Sequence, residues 1–315
     1  MTFPYQQSGG VDSTMAYTIP ELWSATYLVK WHLETAFDKI VNTDYEGEFS
    51  KMGDVIHIRT MPDMTINTYY KGINTGNGQV TYDRPSVGNV DMLIDQGKYW
   101  AFSLQDLDLK QSSIELANSW ATECKTQMHI EIESDLFADW HDDAHASNKG
   151  NAAGAKSGNI QLGTAGAPRY INADNVDDFL TDVTLVLDEQ NVPMGDRALT
   201  VPKFVGKYIK MSDKFTADKT GDAKGRLISG LIGEVDGLLI YTSNNVESTV
   251  DTAAGVTAYY AFANHKKAIS FATQLEKNEV IRDQYDFRDL SRGLQVYGSK
   301  VTKAEGVVEC YIAKG

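Results

Sequence analysis

Hydrophobic positions change period several times along the chain, and each change marks an element. Residues 1–17 are polar, glycine-containing and without period, as expected of an extended arm. From Ile19 a helical spacing begins, with Leu22, Trp23, Tyr27, Trp31, Leu33, Phe37 and Ile40 recurring behind Pro20 and Glu21, which suit a first turn. One amphipathic helix is predicted over 20–41, packed either on its own domain or on a neighbouring subunit. Over 47–105 the period falls to two. Val55–Arg59 and Met64–Tyr70 alternate, Gln79–Tyr82 resumes the alternation, and Asn77-Gly78 between them is a hairpin signal. Strands follow at Val90–Asp95 and Lys98–Leu104 across Gln96-Gly97, so the segment predicts a long projecting β-arm that closes back on itself.

Helical spacing returns over Asp108–Trp140. Ile114, Ala117, Ala121, Cys124, Met128, Ile132 and Leu136 form a stripe, with Glu115, Lys125, Glu131 and Glu133 off it. At about 1.5 Å per residue such a helix reaches on the order of 45 Å, well beyond the usual ~12 residues, and is a candidate backbone for the subunit. Residues 142–168, rich in Ala, Gly, Ser and Asn, read as a flexible loop. A helix with Val176, Phe179, Leu180, Val183 and Leu187 on one face then runs from 172–174 to Asn191, before Pro193. Arg197–Val201 is a buried-looking strand, and Pro202 opens a short helix reaching Lys210. Strands dominate the remainder: two short ones within 230–245, then Ala258–Ala263, Ala268–Gln274 and Glu279–Arg282. A closing hairpin turning at Ala304-Glu305-Gly306 is expected to return to the sheet beneath the long helix. No repeat of 20–50 residues stands out, and the class is α+β.

Composition narrows the setting. With 315 residues and 42% hydrophobic content, the chain can bury a sizeable core, divided between two lobes. Cys124 and Cys310 have no metal-type spacing, so a disulfide framework is not expected and a reducing compartment is. The N-terminus lacks the basic and apolar regions of a signal peptide, and no run of about 18 apolar residues occurs; a soluble protein, without membrane partners, is expected. The net charge of −14 argues against gripping nucleic acid through a basic face, since phosphate affinity comes from Lys and Arg. DNA nearby is better enclosed than bound.

Few constellations carry chemistry. His141 and His145 stand at i and i+4 at the end of the long helix, the best metal candidate by spacing. Yet Asp142 occupies the place where a zincin has Glu, and no third ligand is signposted; a solvated helix end is the expectation. Gly72, Gly76 and Gly78, and the run Gly221–Arg226, lack the phosphate-loop spacings. No G-x-S-x-G occurs, neither cysteine is near a histidine, and pairs such as Glu131 with Glu133 or Asp142 with Asp143 arise by chance among 43 carboxylates. No catalytic, cofactor-binding or metal residue is therefore assigned, and no cofactor is expected.

The order of parts resembles the major capsid protein of tailed bacteriophages, with its Hong Kong 97-type fold. Ile19-Pro20-Glu21-Leu22-Trp23 with Val41–Gly47 is similar to the family's N-terminal arm, and Gly53–Ile58 to the start of its extended loop. Tyr99–Asp108 resembles the return strand into the spine helix, and Leu231–Asn244 the glycine-punctuated strand of the axial domain. The resemblance implies an N-terminal arm over 1–46, an extended β-hairpin loop with return strand over 47–106, and a peripheral domain with spine helix over 107–170. It places an axial domain over 171–285 and a return to the peripheral domain over 286–315. It further implies a non-enzymatic subunit that assembles with itself into hexameric and pentameric capsomers of an icosahedral shell around double-stranded DNA. Assembly would occur in the host cytoplasm, with a scaffolding protein, a portal and decoration proteins as partners. The arm starts within about 20 residues of Met1, so a separate scaffolding protein or prior cleavage of a longer precursor is expected. Lys71, near the loop tip, is the candidate for the Lys–Asn cross-links some members form. An encapsulin-like nanocompartment is the alternative with the same fold, and an acidic hydrolase with 142–168 as a lid is the alternative of another class.

Overall fold

The computed structural model describes residues 35–44, 55–62, 64–68, 82–105, 116–212 and 231–315. In chain order its elements are α1 (Phe37–Ile40), β1 (Val55–Thr60), β2 (Gly88–Leu93), β3 (Gln96–Gln105), α2 (Leu116–Trp140), β4 (Arg169–Ile171), α3 (Val176–Glu189) and β5 (Arg197–Pro202). There follow α4 (Lys203–Met211), β6 (Leu231–Val235), β7 (Leu238–Ser243), β8 (Ser248–Asp251), β9 (Val256–His265), β10 (Ile269–Arg282), β11 (Arg288–Val301) and β12 (Val307–Lys314).

A seven-stranded mixed sheet runs in the order β4-β12-β9-β5-β7-β6, with β8 paired to β9. Successive side chains of a strand point to opposite faces, so each strand feeds two cores. Leu199, Val201, Ala261, Ala263, Val308, Cys310 and Ile312 meet Phe179, Leu180 and Val183 of α3 and Val205 and Ile209 of α4. On the opposite face Ala198, Phe262 and Val307 meet Ile132, Leu136, Phe137 and Trp140 of α2. Each large apolar side chain buried this way contributes about 1.5–3 kcal/mol. Helix α3 begins with Asp177 and Asp178, whose charges suit the positive end of the helix dipole. It stops where Asn191 turns left-handed (φ 57°), with Asn191 N–H on Asp188 O and Val192 N–H on Leu187 O. The buried Arg197 guanidinium seals that end, donating to Val192 O, Pro193 O and Asp188 Oδ1. Asp236 and Gly237, at φ 51° and 74°, make the tight β6–β7 turn, a conformation Gly adopts without strain.

A second, three-stranded sheet has the order β10-β11-β3, and a two-stranded ribbon pairs β1 with β2. Helix α2 lies along β11: Tyr297 Oη donates to Asp135 Oδ2 at 3.0 Å, Lys300 Nζ to Asp143 Oδ2 at 2.9 Å, and Phe271 and Tyr297 share the core with Ile132 and Leu136. The end of the arm is threaded into the same core. Phe37, Ile40 and Val41 are buried there, and Asn42 bridges Ser270 through Asn42 N–H to Ile269 O and Phe271 N–H to Asn42 O, both at 2.9 Å.

Several expectations need correction. β11 and β12 do not form a closing hairpin. Apolar residues alternate on both sides of the Ala304–Gly306 turn, but β11 pairs with β10 and β3, while β12 enters the seven-stranded sheet between β4 and β9. Residues 142–168 are not a flexible loop. Ala153, Ile160 and Leu162 are buried, Ala153 and Ile160 exchange both backbone hydrogen bonds, and the Asn148 amide donates to Glu305 O and Val307 O. The β2–β3 connection falls at Ile94-Asp95, not at Gln96-Gly97, and the two strands belong to different sheets. Residues 64–68 carry no strand pairing, so β1 finds its partner in β2. Glu133, expected off the buried stripe, is fully buried. The predicted helix over 20–41 is described only in its last turn, Phe37–Ile40, and the Asn77-Gly78 signal lies outside the described residues, as does 108–115 of the long helix.

Candidate assembly interface

The ribbon is built by alternation. Antiparallel register runs from Val55↔Leu93 to Thr60↔Gly88. Ile56, Ile58 and Met92, with Ile94 beyond the strand, face inward onto Ala272 and Val296 of the three-stranded sheet. Gly298 permits this close approach, because a Cβ there would lie 2.4 Å from Leu93 O. On the outer face His57 Nδ1 and Asp91 Oδ1 are 2.6 Å apart across the pair, and that hydrogen bond holds the Asp91 carboxyl below the usual carboxylate range.

Beyond the ribbon the chain stops burying its apolar side chains. Met61 (95% exposed), Ile66 (91%) and Tyr82 (90%) stand in solvent, with Met64 and Val87 also exposed. A second such region is the far end of the β10–β11 hairpin, where Val280 on β10 and Tyr285 and Phe287 in the turn are exposed. That turn is a rigid one: Asp283 accepts from Tyr285 N–H and from Arg288 Nε, which lower its pKa, and Arg282–Asp289 and Arg292–Glu279 ion pairs brace the strands behind it. Scattered exposed apolar residues are ordinary, but clusters on projecting strands mark surfaces that another chain covers. Tyr69, Tyr70 and Lys71 of the expected loop tip lie outside the described residues, as do Gly72, Gly76, Gly78 and 221–226.

The arm's seat is electrostatic as well as apolar. Glu133 Oε1 accepts from Ala36 N–H at 2.6 Å, and Glu133 Oε2 from Asn245 Nδ2 at 2.8 Å and Ser243 Oγ at 3.3 Å. Burial raises its pKa in spite of these donors. Asn264 Nδ2 donates to Ile40 O at 2.7 Å. Glu133 and Asn264 thus fasten the arm to the helix and to the sheet. Neither carried a sequence signal, because their partners lie 97 and 224 positions away.

The remaining candidates separate. His141 and His145 do not converge. His141 is buried and stacked on Tyr260 (4.3 Å, 9°) with Nε2 2.8 Å from Glu247 Oε2, so the expected solvated helix end is wrong at this residue. His145 Nδ1 accepts from Ser147 N–H instead. Glu131 is exposed while Glu133 is buried, so they form no acid pair. Asp142 is exposed, and Asp143 is paired with Lys300. Burial pushes the Cys310 thiol well up, and partial burial raises Cys124. Among the described residues no helix is long and apolar enough to cross a membrane.

No protein-family model and no curated protein matches the chain. Solved structures do. One from Mycobacterium phage Che8 is 30% identical and superposes with a TM-score of 0.70, covering 93% of this chain and 96% of that one. The capsid of the Cyanophage P-SCSP1u, at 14% identity, gives 0.69 over 99% of both chains. The capsid of Ralstonia phage GP4, at 15% identity, gives 0.64 over 98% and 99%. A long helix between two sheets, a two-stranded ribbon packed on the smaller sheet and a central mixed sheet, matched over nearly their whole length by phage structures, define a shell-forming structural subunit of the Hong Kong 97-type fold rather than an enzyme. The chain belongs to the major capsid proteins of tailed bacteriophages, and its place is the icosahedral shell of the virion.

Proposed function

We propose that the subunit builds hexameric and pentameric capsomers in which the 61–87 loop of one copy lies on its neighbour. The observation that carries this is the contrast at Thr60 and Gly88: inside the ribbon one face, Ile56, Ile58 and Met92, is buried, and beyond it Met61, Met64, Ile66, Tyr82 and Val87 are all exposed. A head-to-tail contact of this kind generates rings, and curved rings close. In this reading the arm is 1–46, the extended loop and return strand 47–106, the peripheral domain 107–170 with a return over 286–315, and the axial domain 171–285. The alignment of α2 with β11 supports the return. A scaffolding protein and a portal complete assembly in the host cytoplasm, decoration proteins are further partners, and double-stranded DNA is enclosed without sequence-specific contacts, in keeping with the charge of −14. Sedimentation and negative-stain microscopy of the expressed protein, alone and with its genomic neighbours, test this. Megadalton shells built from rings of six and five are expected. A stable monomer under every condition would overturn it.

A further inference from the structure

Just past the end of α2 lies a polar cluster outside the surfaces named in the proposed function. His141 is 2% exposed, and its Nε2 lies 2.8 Å from Glu247 Oε2. An ionised carboxylate only accepts, so a ring proton sits on Nε2, and the neutral form of that tautomer presents a lone pair at Nδ1. That Nδ1 is buried and has no hydrogen-bond partner. Asp142 Oδ1 lies 3.5 Å from it. Ligand atoms, one each from His141, Asp142 and Glu309 of β12, lie within 4.8 Å of one another. Acceptor groups therefore gather around a buried ring nitrogen that has no hydrogen-bond partner, an arrangement that favours a cation joining it.

We propose that His141 Nδ1, Asp142 and Glu309 bind one divalent transition-metal ion of the zinc class, which clamps the end of α2 to β12. One imidazole and two carboxylates are the mixed N/O set such ions take, with a further position left for water, whereas calcium and magnesium prefer oxygen alone. Glu247 supplies the outer carboxylate that fixes the ring's tautomer and strengthens its basicity. The surroundings are acidic. The Tyr260 phenol stacked on His141 is raised first by burial and then by Glu247, Glu309, Asp142 and Asp251. Lys149 Nζ stands 3.9 Å from Glu309 Oε2 and donates to Asp142 O; it is partly exposed and can withdraw to water when an ion enters. The ligands span positions 141 to 309, so no local motif announces them.

The test is metal titration of chelator-stripped subunits and shells, followed by calorimetry and by the visible spectrum of the Co2+ form. One saturable Zn2+ per chain is expected, with a thermal midpoint that rises on loading and no comparable effect of Ca2+. Asp142→Asn, Glu309→Gln and Glu247→Gln should each weaken binding about tenfold or more, while Asp143→Asn, whose carboxylate faces Lys300, should not. Asp142 is exposed, so Asp142→Asn retains the fold and is decisive by itself. Absence of saturable binding, as when an imidazolium donating to Asp142 fills the same space, would overturn the proposal. So would binding undiminished in Asp142→Asn. Because binding is read on subunits as well as shells, the outcome is independent of how copies assemble.

Discussion

Strands β5 and β1 are both six residues long, yet they are finished differently. Arg197–Pro202 is buried at every position, with β9 on one side and β7 on the other and helices over both faces. Val55–Thr60 has one partner, buries only Ile56 and Ile58, and leads into a loop of exposed apolar residues. A strand buried on both faces has its neighbours in its own chain; a strand that alternates and then exposes Met and Ile awaits neighbours from another copy. The same molecule thus holds a strand completed within its own chain and one that, on the proposed function, is completed by another copy.

The largest effect should come from replacing 61–87 with a short Asn-Gly turn between Thr60 and Gly88. Shells should disappear from sedimentation profiles while the thermal midpoint of the subunit barely moves; unfolding of this variant would erase the distinction between the two regions. Next, Leu199→Ala should cost about 2–5 kcal/mol in denaturant unfolding, and Val55→Ala no more than about 0.5 kcal/mol. Glu133 and Asp251 sharpen the comparison through pH. Burial raises the folded pKa of Glu133, so the stability its protonation contributes is present in acid and is lost as pH rises through that raised value. Glu133→Gln should therefore gain on the wild type as pH rises toward neutrality. Asp251 has the opposite sign. It accepts from the N–H groups of Ala254, Gly166 and Ala253 and from Tyr311 Oη, which lower its pKa. The penalty of Asp251→Asn should be full at neutral pH and vanish as pH falls through that lowered value, the smallest effect of the four, read from urea midpoints across a pH series.

Much of this was legible because local pattern and final burial agree. The alternation at 55–59, the face of Val176, Phe179, Leu180 and Val183, and the strand opened by Arg197 follow from side-chain period alone. What failed depended on distant partners. Period two at 294–312 predicts strands but not which sheet each joins, so β11 and β12 read as one hairpin. Ala, Gly and Asn at 144–154 suggested mobility, whereas Asn148 is held by carbonyls 157 and 159 positions away. Glu133 looked like a surface acid because its sequence neighbours say nothing of Ala36 or Asn245. At the helix end, sequence spacing pairs His141 with His145, whereas the fold sets His141 beside Asp142 and Glu309 of β12, 168 positions on from His141.

The seat of the arm also sets an order in time. Ala36 meets Glu133 across 97 positions and Ile40 meets Asn264 across 224. Closing such spans costs only about 0.6 kcal/mol more per doubling of length, but contacts of this range are slow and must wait for both ends. A ribosome releases Phe37, Ile40 and Val41 early and Ile269–Phe271 late. Their core mixes residues released midway, Met128 to Trp140, with others released last, Ile269 to Phe271 and Val307, so this pocket is complete only when most of the chain is available to fold.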